Sequence, residues 1–483
     1  IFISNAELNL ISLKNIHTTQ MRIVITHDGR AVARPENGPV VFVRGGLPGQ
    51  RILARLTAVK KRMAEAEMLN VVAPAEDERP APCPHAADCG GCPWQSLPYR
   101  AQLGWKRRLL TDALARIGGV KDAETLTRPV LPSPANAFGP GEWRYRNKME
   151  FAFAPGPDGL PRLGLRRRAS HEVVDVDACL LQTPRTMRVL AALRVLVRAS
   201  GLPAWTPEEQ APGGLRFVVI REPGGTPGAC VVELISAPFA AASLVTELGR
   251  ALLDGPWGVT GFIHSTRAAS SDVAYGEKTA LTLGDTTLTE SLNLAGHPAP
   301  VRFALGHNAF FQVNSRATEL LYNTAVALSA ETGGIPNGTG GTYWDLYCGA
   351  GGLALAFAPR FDAVLGLESV PSAVALARRN AAAFPNCRFE SADAGRVGEY
   401  FRRFGTPDLL GADPPRAGLE PRVVRALLRA RPPRLLMVSC NPATLARDLA
   451  ALAPAYAIKA IQPVDLFPQT PHVESVASLV LRR

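Results

Sequence analysis

The sequence predicts a multidomain protein with a small OB-like β-barrel at the N-terminus, a central α+β domain and a C-terminal doubly wound, Rossmann-like α/β domain. The chain has 483 residues, which is too many for a single hydrophobic core. Short stretches of alternating apolar and polar residues come first, and strands alternate with helical stretches from about residue 301 onward. The first pattern is typical of a closed barrel, and the second of a parallel sheet covered on both faces.

The barrel is predicted for residues 21–77. Asp28-Gly29, Asn37-Gly38 and Gly45-Gly46 supply turn residues between the strand patterns. Residues 1–20 show neither a strand pattern nor the basic start and apolar stretch of a signal peptide. We therefore expect those residues to form a disordered extension.

Residues 78–300 are predicted to form the central α+β domain, which begins with a Pro-rich linker. Candidate strands lie at 147–156, 214–223 and 229–236. Residues 301–483 follow as the α/β domain. No stretch reaches the roughly 18 apolar residues of a membrane-spanning helix, so we expect no contact with a membrane. With no signal peptide either, the protein is expected in the cytoplasm. We also expect a monomer.

Basic residues outnumber acidic ones, with 53 Lys and Arg against 42 Asp and Glu, and the net charge is +11. An excess of this kind favours a polyanionic partner. Basic clusters lie at 60–62, 106–108, 144–148 and 162–168, interleaved with Trp105, Trp143 and Tyr145. Each cluster alone is typical of a solvated face, but the four together predict a nucleic-acid surface.

Three cysteines stand close together in the stretch CPHAADCGGCPW, namely Cys83, Cys89 and Cys92. Cys179 is the natural fourth member of this group, because the remaining cysteines lie in apolar or loop segments elsewhere. In a cytoplasmic chain, thiolates this close favour a soft metal over disulfides. Three near cysteines and one remote cysteine predict a [4Fe–4S] cluster, with a structural zinc ion as the alternative.

A Gly-rich turn follows the strand pattern TYWDLYC. Gly349 and Gly351 allow a ligand to approach the backbone, and Glu368 at the end of the next strand can accept hydrogen bonds from ribose hydroxyls. The turn therefore predicts a cofactor site, for either a nicotinamide dinucleotide or S-adenosylmethionine.

Two further strand patterns end on reactive side chains, Asp413 in ADPPRAGL and Cys440 in SCNP. Ligands of an open α/β sheet bind at the carboxyl ends of its strands, so both groups are expected beside Gly349. Hydride transfer needs no thiol there, whereas methyl transfer to C5 of uracil does, because a thiolate must first add to C6. Glu474, in the last apolar strand, is then the candidate base for the C5 proton. A buried structural cysteine and a strand-edge carboxylate are the ordinary alternatives for these two residues.

These motifs together resemble the RNA uracil-C5 methyltransferase family. The resemblance is carried by SCNPATLARDL, ADPPRAGL, FFQVN at 310–314, DLYCGAGGLAL and HVES, while HDGRAVAR and VVFVRGGLPGQRILARL resemble the RNA-binding TRAM barrel. It implies that Cys440 is the nucleophile, Glu474 the proton acceptor and the four cysteines the ligands of the cluster. It also implies residues that contact S-adenosylmethionine or lie beside the target base, which are Gln312, Tyr347, Glu368, Asp393 and Asp413.

The barrel and the cysteines make the chain most similar to the members of this family that modify 23S ribosomal RNA, which is the expected partner. Some positions depart from the family pattern, with Tyr347 where Phe is common, Gly352 where a side chain commonly contacts the cofactor, and Asp393 where Asn is frequent. The alternatives are the same reaction on tRNA and a non-catalytic RNA-binding assembly factor. A methylase of exocyclic amines fits less well, because Arg416 rather than an aromatic residue follows the two prolines.

Overall fold

The computed structural model describes residues 18–26, 31–33, 39–168, 170–224, 228–239, 241–333 and 340–483. The predicted turns at 28–29 and 37–38, and residues 1–17 of the expected extension, lie outside the described residues.

The N-terminal strands form the predicted barrel. They are β1 Thr18–Arg22, β2 Val24–Ile25, β3 Ala31–Ala33, β4 Val40–Arg44, β5 Arg51–Val59 and β6 Met63–Ala73. Their order is β1-β5-β6-β4-β3-β2, and Ile23 alone joins the two outer strands, so the chain bends from one edge of the sheet to the other. Residues 18–20 pair with 53–55, so the expectation of a disordered extension was wrong for these three residues.

The central domain is built on a mixed sheet with helices on one face. Its helices are α1 Tyr99–Arg116, α2 Ala123–Leu126, α3 Pro184–Ser200 and α4 Ala242–Asp254, and its strands are β7 Lys148–Pro155, β8 Pro161–Arg166, β9 Val173–Asp175, β10 Leu215–Arg221, β11 Val231–Ser236, β12 Gly261–Thr266 and β13 Lys278–Gly284. The strand order is β13-β12-β11-β10-β7-β8-β9. The anticipated strands became β7, β10 and β11, which lie side by side. β10 and β11 are buried throughout, and β7 is buried over half of its length.

The chain enters the C-terminal domain through a hairpin of β14 Leu288–Leu292 and β15 Val301–Leu305. The helices that follow are α5 Ser315–Glu331, α6 Gly352–Phe357, α7 Pro371–Asn380, α8 Val397–Phe404, α9 Pro421–Ala430 and α10 Pro442–Leu452. The strands are β16 Thr342–Leu346, β17 Ala363–Glu368, β18 Cys387–Ser391, β19 Leu409–Ala412, β20 Arg434–Ser439, β21 Tyr456–Val464 and β22 Glu474–Leu481.

The C-terminal sheet has the predicted doubly wound topology. Its order is β18-β17-β16-β19-β20-β22-β21, and the pairings from β18 to β20 are parallel. β22 runs antiparallel to both of its neighbours. Strands β19 and β20 are almost wholly buried because helices cover both faces, which explains their continuous apolar sequences. The strand order reverses between β16 and β19, and ligand crevices of such sheets open at that point.

Helix α1 belongs to the central domain in sequence but packs on the C-terminal sheet. It contacts α10, and Leu110, Ala113 and Leu114 join the core that covers one face of that sheet. The central and C-terminal domains therefore share a hydrophobic core next to the carboxyl ends of the strands.

Candidate active site

Cys440 and Glu474 lie side by side at the carboxyl edge of the sheet. Cys440 directly follows β20, and Glu474 is the first residue of the antiparallel strand β22. Because Ser439 pairs with Ser475, the antiparallel register sets Glu474 next to Cys440. Asp413 follows the neighbouring strand β19 and reaches the same edge. The structure thus brings together three residues that lie as much as 61 positions apart.

The electrostatics of this group follow from burial and mutual proximity. Burial raises the pKa of Cys440 to about 11, and the carboxylates of Glu474 and Asp413 add to this, whereas the Arg416 guanidinium opposes it. Burial also raises the pKa of Glu474 to about 8, helped by Asp413, and burial raises the pKa of Asp413 to about 6. A carboxyl group with a pKa near 8 can take and release a proton near neutral pH.

The turn that holds Cys440 is fixed by its neighbours. Asn441 caps α10 by accepting a hydrogen bond from the Ala443 backbone N–H at 3.0 Å, and Pro442 occupies the first helical position. The Asn441 side chain also donates to the carbonyl oxygen of Arg416 at 3.2 Å. The Asn-Pro that follows the thiol therefore starts a helix and ties the SCNP turn to the DPPR turn.

Arg416 is a site residue that the sequence reasoning missed. Its guanidinium lowers the pKa of both Cys440 and Glu474, and its backbone is also held by the Thr444 hydroxyl at 3.2 Å. Its position three residues after Asp413, in the same turn after β19, was the signal that could have indicated a place in the site.

The Gly-rich turn after β16 has the backbone geometry of a ligand-binding loop. Gly349 and Gly351 have φ values of 52° and 91°, a region that favours glycine, and Tyr347 is also left-handed with φ 62°. Glu368 accepts a hydrogen bond from the Gly349 N–H at 3.2 Å, so its carboxylate contacts the turn directly. These predicted cofactor residues converge at one place.

The two remaining predicted cofactor contacts lie at different ends of the crevice. Asp393, just after β18, accepts from the Gly395 N–H at 2.7 Å and pairs with Arg422 at 2.8 Å. Gln312 lies in the loop before α5, and its carbonyl oxygen accepts from the Asn147 side chain at 3.1 Å. Asn147 belongs to the basic stretch 144–148, yet it is buried and holds the Gln312 loop, a role that its sequence context did not indicate.

The loop that leads into Glu474 is held by α1. Lys106 is fully buried and its Nζ lies 2.5 Å from Oδ1 of Asp465. The Gln102 side chain donates to the Gln469 side chain at 2.8 Å and accepts from the Gln469 N–H at 2.9 Å. Helix α1 therefore contributes to the placement of Glu474.

Four cysteines line one cavity: Cys83, Cys89, Cys92 and Cys179. A Cβ at Gly90 would lie 3.0 Å from Cα of Arg168, so a side chain at this position would crowd the neighbouring backbone. Burial raises the pKa of Cys179 to about 11, and the thiols of Cys89 and Cys83 contribute. Within the described ranges, no group of three or more His, Cys, Asp or Glu is arranged so that it could hold a metal ion.

The cluster at 106–108 is less available to RNA than its sequence indicated. Lys106 is buried, and Arg107 donates to the carbonyl oxygen of Thr127 at 3.1 Å. Arg108 is exposed, with its guanidinium carbon 5.4 Å from the centre of the Trp105 ring. Tertiary contacts use two of the three residues of this cluster, so its contribution to the predicted nucleic-acid surface is smaller than its sequence suggests.

In the other basic clusters, too, some residues are buried or paired and others are exposed. Tyr145 is buried, Arg166 pairs with Asp272 at 2.6 Å, and Arg167 pairs with Asp88. By contrast, residues 60–62 lie fully exposed in the turn between β5 and β6 of the barrel. Among the described helices, none is both long enough and apolar enough to cross a lipid bilayer.

Comparison with known proteins identifies two domains. A model of the tRNA (Uracil-5-)-methyltransferase family matches residues 403–482, which include Cys440 and Glu474, and a TRAM domain model matches residues 24–69. Among solved structures, the Pyrococcus abyssi tRNA (uracil-54, C5)-methyltransferase in complex with S-adenosyl-L-homocysteine aligns with a TM-score of 0.73 and 27% identity, over 96% of this chain and 100% of that chain.

Sequence relatives extend over almost the whole chain. An uncharacterized RNA methyltransferase of Nitratidesulfovibrio vulgaris is 44% identical over 464 residues, which is 93% of each chain. Another, from Halalkalibacterium halodurans, is 34% identical and covers 95% of each chain. With this similarity, and with the thiol and the carboxylate together at the strand ends, the chain belongs to the RNA (uracil-5-)-methyltransferase family and carries an N-terminal TRAM domain.

Proposed function

We propose that this protein transfers a methyl group from S-adenosylmethionine to C5 of a uridine in 23S ribosomal RNA, with Cys440 as nucleophile and Glu474 as base. The observation that carries the proposal is the antiparallel pairing of β20 with β22, which sets the two side chains next to each other. A thiol and a carboxylic acid with a pKa of about 8 at one strand edge suit addition to C6 followed by proton removal from C5.

The side chains act in sequence. The Cys440 thiolate adds to C6, which turns C5 into an enolate-like nucleophile. C5 attacks the methyl carbon of the sulfonium, the methyl–sulfur bond breaks with its electron pair staying on sulfur, and S-adenosylhomocysteine leaves. Glu474 then takes the proton from C5. The electron pair of that C–H bond forms the C5–C6 double bond, and the bond from C6 to sulfur breaks to restore the thiolate. The product is 5-methyluridine.

The crevice residues fit the methyl donor. Positive φ angles at Gly349 and Gly351 open the backbone to it. Apart from its chain neighbours, none of the residues that the structure describes has a heavy atom within 4 Å of a Cβ built on Gly349. We assign contacts with the donor or the target base to Gln312, Tyr347, Glu368, Asp393 and Asp413. The target base must leave its stack in folded RNA to reach Cys440.

Two features support 23S ribosomal RNA as the substrate, the TRAM domain and the four-cysteine cavity next to it in sequence. The solved relative from Pyrococcus abyssi carries a tRNA methyltransferase title, so tRNA is the second candidate. Mapping 5-methyluridine in ribosomal RNA and tRNA from a strain that lacks the gene decides between them. Loss of 5-methyluridine from 23S ribosomal RNA alone supports the proposal, and its loss from tRNA alone contradicts it. We further propose that the enzyme acts as a cytoplasmic monomer.

We also propose that Cys83, Cys89, Cys92 and Cys179 hold a [4Fe–4S] cluster. What supports the proposal is that four thiols line one cavity. Their arrangement is not that of a single-ion site, and a cluster spaces its sulfur ligands more widely than a single zinc ion does. When bound, the cluster would tie the loop 83–92 to the segment around Cys179. Without a bound cluster, these thiols would lie close together in a largely apolar cavity.

The test of the reaction uses two substitutions. Cys440→Ala should abolish methylation while RNA binding survives. Glu474→Gln should stop the reaction after methyl transfer and accumulate a covalent protein–RNA adduct, which appears as a retarded band in a denaturing gel. Cys387→Ala is the matched control, because that half-buried cysteine lies at the start of β18, outside the crevice. Normal turnover by both active-site variants would contradict the roles assigned to Cys440 and Glu474. Absence of methylation by the wild type, with RNA binding retained, would instead favour a non-catalytic RNA-binding factor.

A further inference from the structure

Tyr322 occupies space beside the Gly-rich turn that a side chain at position 352 would otherwise fill. A Cβ built on Gly352 would lie 2.3 Å from the Tyr322 hydroxyl oxygen and 2.7 Å from Cζ. Gly352 is the first residue of α6, directly after the turn, whereas Tyr322 projects from the middle of α5. The phenol hydroxyl is therefore placed at the turn by a helix that is distant in sequence.

The surrounding groups include buried polar atoms without partners. Asp345 at the end of β16 is fully buried, and its Oδ2 accepts from the Ala354 N–H at 2.9 Å, whereas its Oδ1 has no partner within the described residues. The hydroxyl of Tyr343, also fully buried, has none in the same part of the chain. Buried oxygens of this kind cost free energy unless a hydrogen-bond donor binds beside them.

The recess is also acidic. Burial raises the pKa of Tyr322, and the carboxylates of Asp413, Asp345 and Glu474 add to this in that order. Such an arrangement of carboxylates and hydroxyls suits a small cationic group. A carboxylate ligand would meet repulsion from the same residues.

We propose that Tyr322 binds the α-ammonium group of S-adenosylmethionine, with its hydroxyl oxygen accepting a hydrogen bond while Asp345 and Asp413 supply further acceptor oxygens. The proposal rests on the proposed function, which requires this donor. Its geometric basis is that the Tyr322 hydroxyl lies against Gly352 at the start of α6, while Asp345 accepts from the Ala354 N–H two residues further along that helix. Tyr322 on α5 thereby makes the contact with the methyl donor that a polar side chain at position 352 could make.

The experiment measures the binding of S-adenosylhomocysteine to the full-length protein by calorimetry, for the wild type and Tyr322→Phe. The substitution keeps the ring and removes only the hydroxyl, and we expect about ten-fold weaker binding, as for the loss of a hydrogen bond to a charged group. Tyr456→Phe is the matched control, because it also removes a buried hydroxyl. That hydroxyl lies on the edge strand β21 and donates to the Pro432 carbonyl oxygen at 3.0 Å. The control should bind like the wild type.

Two analogues locate the contact. 5′-Methylthioadenosine lacks the amino-acid end, so Tyr322→Phe should bind it as the wild type does. Decarboxylated S-adenosylhomocysteine keeps the amine, so the ten-fold loss should persist. Equal losses for all three ligands, no loss for any, or a loss that vanishes with the decarboxylated compound would each overturn the proposal. If the wild type itself fails to bind S-adenosylhomocysteine, the proposed function fails instead.

Discussion

Lys106 and Asp465, which are 359 positions apart, form a fully buried ion pair with Nζ 2.5 Å from Oδ1. Lys106 also donates to the carbonyl oxygen of Phe467 at 2.9 Å. The pair joins α1 to the loop that leads into Glu474, so the central domain helps to position the proposed base.

Removal of Lys106 should be strongly destabilising. Lys106→Met leaves the Asp465 carboxylate buried without its partner, which costs about 3–5 kcal/mol. The double variant Lys106→Met/Asp465→Asn removes the uncompensated charge and should recover part of that loss. Thermal unfolding monitored by circular dichroism should give the highest midpoint for the wild type, a lower one for the double variant and the lowest for Lys106→Met. A midpoint of Lys106→Met equal to that of the wild type would show that the pair does not stabilise the interface.

The reactivity of Cys440 should depend on its charged neighbours. Burial and the Glu474 carboxylate raise the pKa of Cys440 to about 11, so alkylation by iodoacetamide should accelerate as the pH rises toward that value. Glu474→Gln removes a carboxylate that disfavours the thiolate and should speed labelling at pH 8. Arg416→Gln removes the opposing cation and should slow it. Mass spectrometry of the Cys440 peptide measures both rates, and opposite changes would contradict the geometry.

Metal analysis tests the four-cysteine site. Protein purified without oxygen should be brown and contain about four irons per chain. Cys92→Ser should lower the iron content, whereas Cys387→Ser, which alters a cysteine far from the cavity, should not. Colourless protein that contains zinc would exclude the cluster. Inductively coupled plasma mass spectrometry and the visible absorption spectrum give the two readouts.

The exposed turn at 60–62 is expected to contact the RNA backbone. Replacement of its three basic residues by alanine should weaken RNA binding and reduce the slope of log K against log salt concentration by about 0.7 for each lost contact. Arg198→Ala is the control, because it removes a surface charge that already pairs with Asp158. Filter binding over a range of salt concentrations measures the slope, and an unchanged slope would remove this turn from the RNA interface.

The local patterns of the C-terminal domain could be read from its sequence. Alternation of strands and helices indicated the parallel sheet, and parallel strands direct their carboxyl ends to one edge. Asp413, Cys440 and Gly349 could therefore be assigned to one crevice without coordinates. The N-terminal barrel followed from turn residues and strand alternation in the same way, although strand β1 began three residues earlier than expected. Its assignment as a TRAM domain came from a resemblance of two of its segments to that family.

The assignment of charge could not be read in this way. The clusters at 106–108 and 162–168 were interpreted as surface, yet Lys106 is buried and Arg167 pairs with Asp88. A sequence lists basic residues but not their partners, because those partners come from segments far away along the chain. The hydrogen bond from the Asn147 side chain to the Gln312 carbonyl oxygen could not be predicted for the same reason.

The sequence alone determined the chemistry of this protein, since periodicity and motif spacing are local properties that specify strand ends, turns and the reactive groups placed on them. The tertiary structure decided which residues assist that chemistry. Arg416 beside the thiol, α1 behind the base and Tyr322 beside the Gly-rich turn depend on the packing of distant segments. Burial then raised the pKa of Glu474 to about 8, because the charged form of a carboxyl group is disfavoured where packing excludes water.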